Sequence, residues 1–294
     1  MPLVGFGLWK CPADHAAETV YNAIKSGYRL FDGAYDYQNE MEAGQGIQRA
    51  IKEGLVKRED IFVTTKRWNN YHAKEHALAF AQSQNEAWGL KYINLYLIHF
   101  PVTLEYIKPE KRRYPTWETL EKVVDQGIAK SIGVSNFQAQ SLYDVQRYAR
   151  HPISSLQTEH HPYLVQPDLI AMAQENNIAV TAYSSFGPQS FKELPGIFSK
   201  RAHGAEPLLE SSLIKGIAGK YGKTPAQVLL RWVTQRNIAV IPKSNNPSRL
   251  AQNLDVVSFD LSQEEIESIS ALDRGLRFND PGFYLPNFPL RIFS

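Results

Sequence analysis

Ile61-Phe62-Val63-Thr64-Thr65-Lys66 and Asn94-Leu95-Tyr96-Leu97-Ile98-His99 are two short runs rich in β-branched and aromatic residues, each ending in a reactive side chain. Runs of that length and composition read as buried strands. Six more follow the same pattern: Leu3–Phe6, Tyr28–Phe31, Ser131–Ser135, Leu156–Glu159, Val180–Tyr183 and Ala239–Ile241. Segments with helical spacing lie between them, as in Ala17, Val20, Ile24 and in Ala43, Ile47, Ala50, Ile51. Strands that alternate with helices from end to end pair in parallel through βαβ units. Eight such units in 294 residues predict an α/β fold, a (β/α)8 TIM barrel, with a doubly wound sheet as the alternative.

Helix starts are visible in their caps. Thr224-Pro225-Ala226-Gln227 places Thr at the N-cap, Pro at the first helical position and Gln two residues later. Ser262-Gln263-Glu264-Glu265 is a second capping box, followed by Ile266, Ile269 and Leu272 on one face. Thr103–Pro115 and Phe186–Ala205 read as loops, and Asn279–Ser294 carries too many prolines for a long helix. No composition shift, linker or repeat divides the chain, so residues 1–294 are expected to form one domain.

Composition narrows the function classes. A hydrophobic fraction of 43% with 12% aromatics supports a sizeable core. Lys and Arg total 32 against 30 Asp and Glu, a net charge of +2 with the basic residues dispersed, which predicts no nucleic-acid partner and no membrane partner. The longest largely apolar stretch, about Ile93 to Val102, is far shorter than the roughly 18 residues of a membrane helix. The N-terminus lacks a basic n-region, no Asn-x-Ser/Thr acceptor exists, and Cys11 is the single cysteine. A cytoplasmic protein is expected, with no metal site.

Several motifs fail in informative ways. No G-x-G-x-x-G follows a strand; Gly44-Gln45-Gly46 is the nearest and sits within a helical pattern. Gly222-Lys223-Thr224 mimics the end of a phosphate loop, but Ile217 stands where its first glycine belongs. Gly133-Val134-Ser135-Asn136-Phe137 mimics a nucleophile elbow, yet Phe137 replaces the last glycine. His160-His161 lacks ligand spacing and reads better as a satisfied polar cluster than as part of a metal site.

In a barrel the C-terminal strand ends form the active-site face. Asp32, Lys66, His99 and Glu159 occupy four such ends, and Tyr37 lies five residues beyond Asp32. Tyrosine ordinarily ionises near pH 10, too high for ready proton donation at neutrality. A neighbouring lysine is expected to lower that value, an aspartate to hold the ammonium, and a histidine to orient a carbonyl oxygen. Such a set protonates an oxyanion while hydride arrives from elsewhere. It offers no nucleophile for hydrolysis.

At these residues the sequence resembles the aldo-keto reductases, and within them the fungal NAD(P)H-dependent D-xylose (aldose) reductase type. The likeness runs in order through Gly5–Lys10, Tyr28–Ala34, Thr65–Asn70, Leu97–Pro101, Lys130–Phe137, Glu159–Tyr163, Ala182–Pro188, Ile241–Asn245 and Leu276–Asp280. It implies a barrel that binds NADPH, with NADH as second choice, and reduces a sugar such as D-xylose or L-arabinose to its polyol. A ketose, a keto-acid or small aldehydes are the alternative substrates, and the implied assembly is a monomer or homodimer. By the same resemblance Tyr37 is the general acid, Asp32 and Lys66 tune it, and His99 orients the carbonyl. Tyr35 lies out of register for the acid. Ser135, Asn136 and Gln157 fall on the nicotinamide carboxamide site and Tyr183 on the ring stacked against the nicotinamide. Lys243, Ser244, Asn245 and Arg249 fall on the adenosine 2′-phosphate site, Asn253 near the adenine, and Glu193 near the adenosine ribose. Trp9, Asp36, Phe100, Phe191 and Asn279 fall on the substrate pocket.

The chain departs from that pattern in three places. It begins almost at the first strand, where relatives have a hairpin under the barrel, which bears on stability more than on chemistry. The segment Thr103 to Thr116 is shorter than in the xylose reductases. Lys91 and Asn94 replace acidic residues before the fourth strand, with a local structural effect expected.

Overall fold

The computed structural model describes residues 1–69, 74–102, 115–284 and 292–293. Eight strands form one parallel sheet in sequence order: β1 Phe6–Gly7, β2 Leu30–Asp32, β3 Phe62–Arg67, β4 Ile93–Ile98, β5 Ala129–Ser135, β6 Ser155–Glu159, β7 Ala179–Tyr183 and β8 Ala239–Val240. The sheet closes on itself. Val4 bridges Val240 in parallel, Gly5 N donates to Val240 O at 2.8 Å, and Val240 N donates to Leu3 O at 2.8 Å. The fold is therefore the (β/α)8 barrel, and the doubly wound alternative, which leaves two sheet edges open, is set aside.

Two strand positions differ from expectation for identifiable reasons. The first run was expected at Leu3–Phe6, but its opening residues make the closing bonds and regular pairing with β2 starts at Phe6. Gly7 is needed there because a Cβ would sit 2.5 Å from Ile241 O across the seam. The second run was expected at Tyr28–Phe31. Tyr28 N instead donates to Ala23 O, closing the preceding helix after Gly27 turns left-handed at φ 108°, so β2 begins at Leu30.

The helices α1 Ala13–Lys25, α2 Glu40–Lys52, α3 Lys74–Trp88, α4 Pro115–Asp125, α5 Ala139–Gln146 and α6 Pro167–Glu175 each connect consecutive strands. After β7 come α7 Lys200–His203, α8 Ser212–Tyr221 and α9 Pro225–Thr234, and after β8 come α10 Pro247–Leu254, α11 Gln263–Ser270 and α12 Pro281–Tyr284. Both expected capping boxes form, Thr224 with Gln227 on α9 and Ser262 with Glu265 on α11. Gly44 and Gly46 lie inside α2, as expected, and serve close packing: added Cβ atoms would meet Trp88 O at 2.3 Å and Ala17 O at 2.4 Å. Gly222 closes α8 in the left-handed region, so the residues resembling a phosphate loop are a helix stop followed by a helix cap.

The stretch Phe186–Ala205 contains two single 3-10 turns, Gly187–Ser190 and Gly196–Ser199, and then α7. The expected loop Thr103–Pro115, up to residue 114, lies outside the described residues, as do residues 285–291 and 294 of the tail Asn279–Ser294. Among the described residues no helix is long and apolar enough to cross a membrane.

Asn94 has the local effect expected of it. Its Oδ1 accepts from Arg58 at 2.9 Å and from Val63 N at 3.0 Å. The Arg58 guanidinium also donates to the carbonyls of Ile61, Leu90 and Tyr92, which ties β3 to the start of β4. Burial holds Arg58 below its ordinary pKa.

Candidate active site

Strand alternation decides which residues reach the centre of the barrel. On β3, Thr65 points outward and its hydroxyl donates to Glu40 at the start of α2. Lys66 points inward, is fully buried, and places Nζ 2.6 Å from Asp32 Oδ1 at the end of β2 and 2.8 Å from Gly33 O. On β6, Thr158 faces away, toward Gln166, while Gln157 faces in and donates to Asp32 Oδ2 at 2.6 Å. The Asp32 carboxylate is thus held on both oxygens, by a cation and by an amide.

Tyr37 reaches this pair from a single 3-10 turn, Tyr35–Tyr37, directly after β2. Gln38 ends the turn in the left-handed region at φ 55°, and Asn39 anchors it through Nδ2 to Leu8 O at 3.0 Å and Cys11 O at 2.8 Å. Tyr37 Oη then lies 3.4 Å from Lys66 Nζ. Tyr35 packs edge-on against Phe80 instead, at 4.8 Å between ring centres. His99, just beyond β4, meets the Tyr37 ring edge-on at 6.0 Å and the Trp68 ring at 5.2 Å, and stacks on Phe100.

The charge states follow from burial. Burial and the carboxylates of Asp32, Asp36 and Glu40 hold the Tyr37 phenol well above its ordinary pKa. This reverses the expected direction: the Lys66 charge is already matched by Asp32 at 2.6 Å, so the pair is nearly neutral toward the phenol. Burial pushes the Lys66 ammonium down and Asp32 pushes it partly back. Burial and Lys66 hold His99 well below the usual histidine range, so its imidazole is neutral at physiological pH and keeps one N–H to donate. Tyr37 is accordingly a protonated donor with a cation placed to receive the phenolate.

Every residue expected at the site except Lys66 lines one cleft of about 1350 Å³; Lys66 lies beneath it, behind Tyr37. At one end, Trp9 and Phe191 rings pack at 5.7 Å and Phe191 stacks on Phe278 at 5.6 Å, with Phe100 nearby and Asp36 exposed on the rim. In the middle, Asn136 adopts φ 64° and gathers three strands: its Nδ2 donates to His99 O at 2.9 Å and Ser135 Oγ at 3.1 Å, and its Oδ1 accepts from Tyr183 Oη at 2.6 Å. Asn279 Nδ2 donates to the same Tyr183 hydroxyl at 3.1 Å.

At the far end, Lys243, Ser244 and Asn245 form the turn before α10. Asn246 caps that helix at Ser248 N and Arg249 N, which brings Arg249 into its first turn. Among the described residues neither Lys243 nor Arg249 forms an ion pair, so two cations face the cleft without a carboxylate. A phosphate dianion suits that arrangement. With Ser135, Asn136 and Gln157 at the catalytic end and Asn253 lining the other, the cleft fits an extended dinucleotide.

Some lining residues were quoted in sequence motifs without being given a role, Trp68 and Lys10 among them. Trp68 forms a wall beside His99, Lys10 reaches across the cleft to donate to Ser190 O at 2.5 Å with its ammonium over the Trp9 ring, and buried Phe278 backs Phe191 from behind the lining. Adjacency to the matched Trp9, Lys66 and Asn279 was the available signal. Glu193 also lines the cleft and acts electrostatically on Lys10. His160 stacks on Trp232 at 5.0 Å and meets Arg236, while His161 meets Glu159 at 2.9 Å; the pair is a buried polar cluster as expected, but only one ring nitrogen of each histidine has a side-chain partner. Among the described residues no three His, Cys, Asp or Glu side chains converge as metal ligands.

Comparison with known proteins agrees with this architecture. The sequence model of the Aldo/keto reductase family matches residues 3–274. The chain is 57% identical over 311 aligned residues to a protein of Emericella nidulans named a probable NAD(P)H-dependent D-xylose reductase, covering 100% of this chain and 96% of that protein. It is 54% identical over 309 residues to the NAD(P)H-dependent D-xylose reductase of Aspergillus niger, covering 98% and 96%. Among solved structures, the Bombyx mori aldo-keto reductase in complex with NADP superimposes with a TM-score of 0.87 at 36% identity, covering 97% of this chain and 94% of that one. The aldose reductase of Schistosoma japonicum gives 0.82 at 33% identity, covering 94% and 90%. The chain belongs to the aldo/keto reductase family.

Proposed function

We propose that this aldo/keto reductase reduces the open-chain aldehyde of a pentose, D-xylose or L-arabinose, to the polyol with NADPH, and that residues 1–294 act as one barrel domain. The observation that carries it is Tyr37 Oη, held protonated, 3.4 Å from the Lys66 ammonium inside a cleft that ends in the Lys243–Arg249 pair. The named D-xylose reductases at 54–57% identity support the substrate class.

When bound, NADPH supplies the hydride. Ser135, Asn136 and Gln157 would hold its carboxamide, Tyr183 would lie against its nicotinamide, and Lys243, Ser244, Asn245 and Arg249 would take its 2′-phosphate. Tyr37 donates its proton to the carbonyl oxygen, and the neutral His99 N–H fixes that oxygen by a hydrogen bond. As the phenolate forms, the Lys66 cation stabilises it, and Asp32 keeps Lys66 in place. Trp9, Phe100 and Phe191 give the sugar's C–H faces apolar walls, and Asp36 and Asn279 take its hydroxyls. The single unpaired Cys11 suits a reducing cytoplasm.

The test is NADPH oxidation followed at 340 nm with D-xylose, L-arabinose, glyceraldehyde and a keto-acid side by side. Pentose turnover clearly above the keto-acid is expected. Turnover with glyceraldehyde alone would keep the chemistry and remove the pentose. The phosphate site is tested separately: Arg249→Ala is expected to raise KM for NADPH by about tenfold, the worth of one charged hydrogen bond, and to leave KM for NADH unchanged. An equal rise for both cofactors would remove Arg249 from that role.

A further inference from the structure

We propose that Glu159 is a positioning residue that fixes the C-terminal wall of the sugar pocket, an inference that rests on the pocket assigned above. Glu159 ends β6 on the same face as Gln157 but does not join the catalytic group. Its side chain is fully buried. Oε1 accepts from Phe278 N at 2.8 Å and Oε2 from Asn279 N at 2.8 Å, bonds that span 119 and 120 residues of chain. His161 Nε2 completes the shell at 2.9 Å from Oε1.

Burying a carboxylate is costly unless it is paired and hydrogen-bonded. Among the described residues no Lys or Arg lies within ion-pair distance of this one; two main-chain amides and His161 do the binding. Burial disfavours its ionised form, but His161, Arg277 and the Phe278 amide outweigh burial and hold it below the usual glutamate range. A charge kept in such a place secures backbone geometry. The backbone it secures carries Asn279, which lines the cleft and whose amide donates to Tyr183 Oη, and buried Phe278, which backs the lining ring of Phe191.

Other contacts also hold the same segment to the end of β6 and the residues after it. Leu276 N donates to Tyr163 O at 2.8 Å, Arg277 reaches Gln166 Oε1 at 2.5 Å, and Gln166 Nε2 returns to Glu159 O at 2.7 Å. Loss of the carboxylate should therefore shift residues 278 and 279 without releasing the segment.

The test uses full-length Glu159→Gln and Glu159→Asp. In Glu159→Gln one amide must face a donor, so KM for D-xylose should rise about tenfold to a hundredfold, while kcat with glyceraldehyde, which is too small to need the wall, should stay within about twofold. Amide hydrogen exchange at Phe278 and Asn279 should accelerate by at least about tenfold, with the rest of the barrel unchanged. Glu159→Asp keeps the charge at shorter reach; should Glu159→Gln not fold, it is judged on the same readouts, with a smaller KM rise. Parallel loss for both substrates, or unchanged exchange at 278 and 279, would overturn the proposal. The exchange result needs no substrate, so an absence of pentose turnover in the unaltered enzyme would sink the pentose assignment and leave the anchor to be decided on exchange.

Discussion

Tyr37→Phe is expected to lower kcat by about 10²- to 10⁴-fold, the range supplied by a positioned proton donor, while the Kd for NADPH changes little. The substitution removes one oxygen and nothing else. The ring keeps its edge-on contact with His99, and Lys66 keeps Asp32 at 2.6 Å and Gly33 O at 2.8 Å, so neither the turn nor the ion pair is disturbed. Neutral His99 can hold the carbonyl oxygen but is a poor acid, because losing its only ring proton would leave an imidazolate. Steady-state kinetics with a fluorescence titration of NADPH settle the matter. Turnover near that of the unaltered enzyme would show that another group, or water, protonates the product.

Lys66→Met should be the next most damaging change, through a different term. Burial and three carboxylates already raise the Tyr37 phenol, and the Lys66 ammonium, 3.4 Å from its oxygen, is the cation placed to donate a hydrogen bond to the phenolate once it forms. Without it the phenolate has no counter-charge, the phenol becomes a weaker acid, and kcat should fall by about a hundredfold or more. Stability should fall as well. Asp32 would keep Gln157 at 2.6 Å but lose its ion pair, and breaking one side of a buried pair costs about 3–5 kcal/mol. Thermal unfolding and kcat are read on the same sample. A lower Tm with kcat preserved would reduce Lys66 to a structural role.

The barrel was legible because eight short apolar runs alternate with helical patterns, and four of those runs close on a reactive side chain at what becomes the C-terminal face of the barrel. Asp32, Lys66 and His99 could be read as neighbours on that ground, since β2, β3 and β4 pair in order. Tyr37 could not. Its place depends on a three-residue turn in which Tyr35 and Tyr37 are chemically equivalent candidates, and only the family register separated them. The direction of the phenol's shift was also hidden, since it depends on how far Asp32 already neutralises Lys66. Glu159 is the plainest case. As a strand-end carboxylate it was legible, but its partners lie more than a hundred residues downstream on main-chain atoms that carry no side-chain signature. Strand edges failed where the seam or a helix stop took over the backbone, at Leu3–Gly5 and at Tyr28.

The seam itself has a consequence for how the protein is made. Val4 and Val240 are bonded neighbours in the finished barrel, yet 236 residues separate them in the chain (240 − 4). At roughly 5–20 residues per second of synthesis, the first strand waits about 10–50 seconds on the ribosome before its last partner emerges. During that interval the outer edge of the Leu3–Gly7 segment presents unpaired main-chain groups to other nascent chains. The segment offers only a few residues, two of them glycines, which makes it a poor template for pairing in the wrong company.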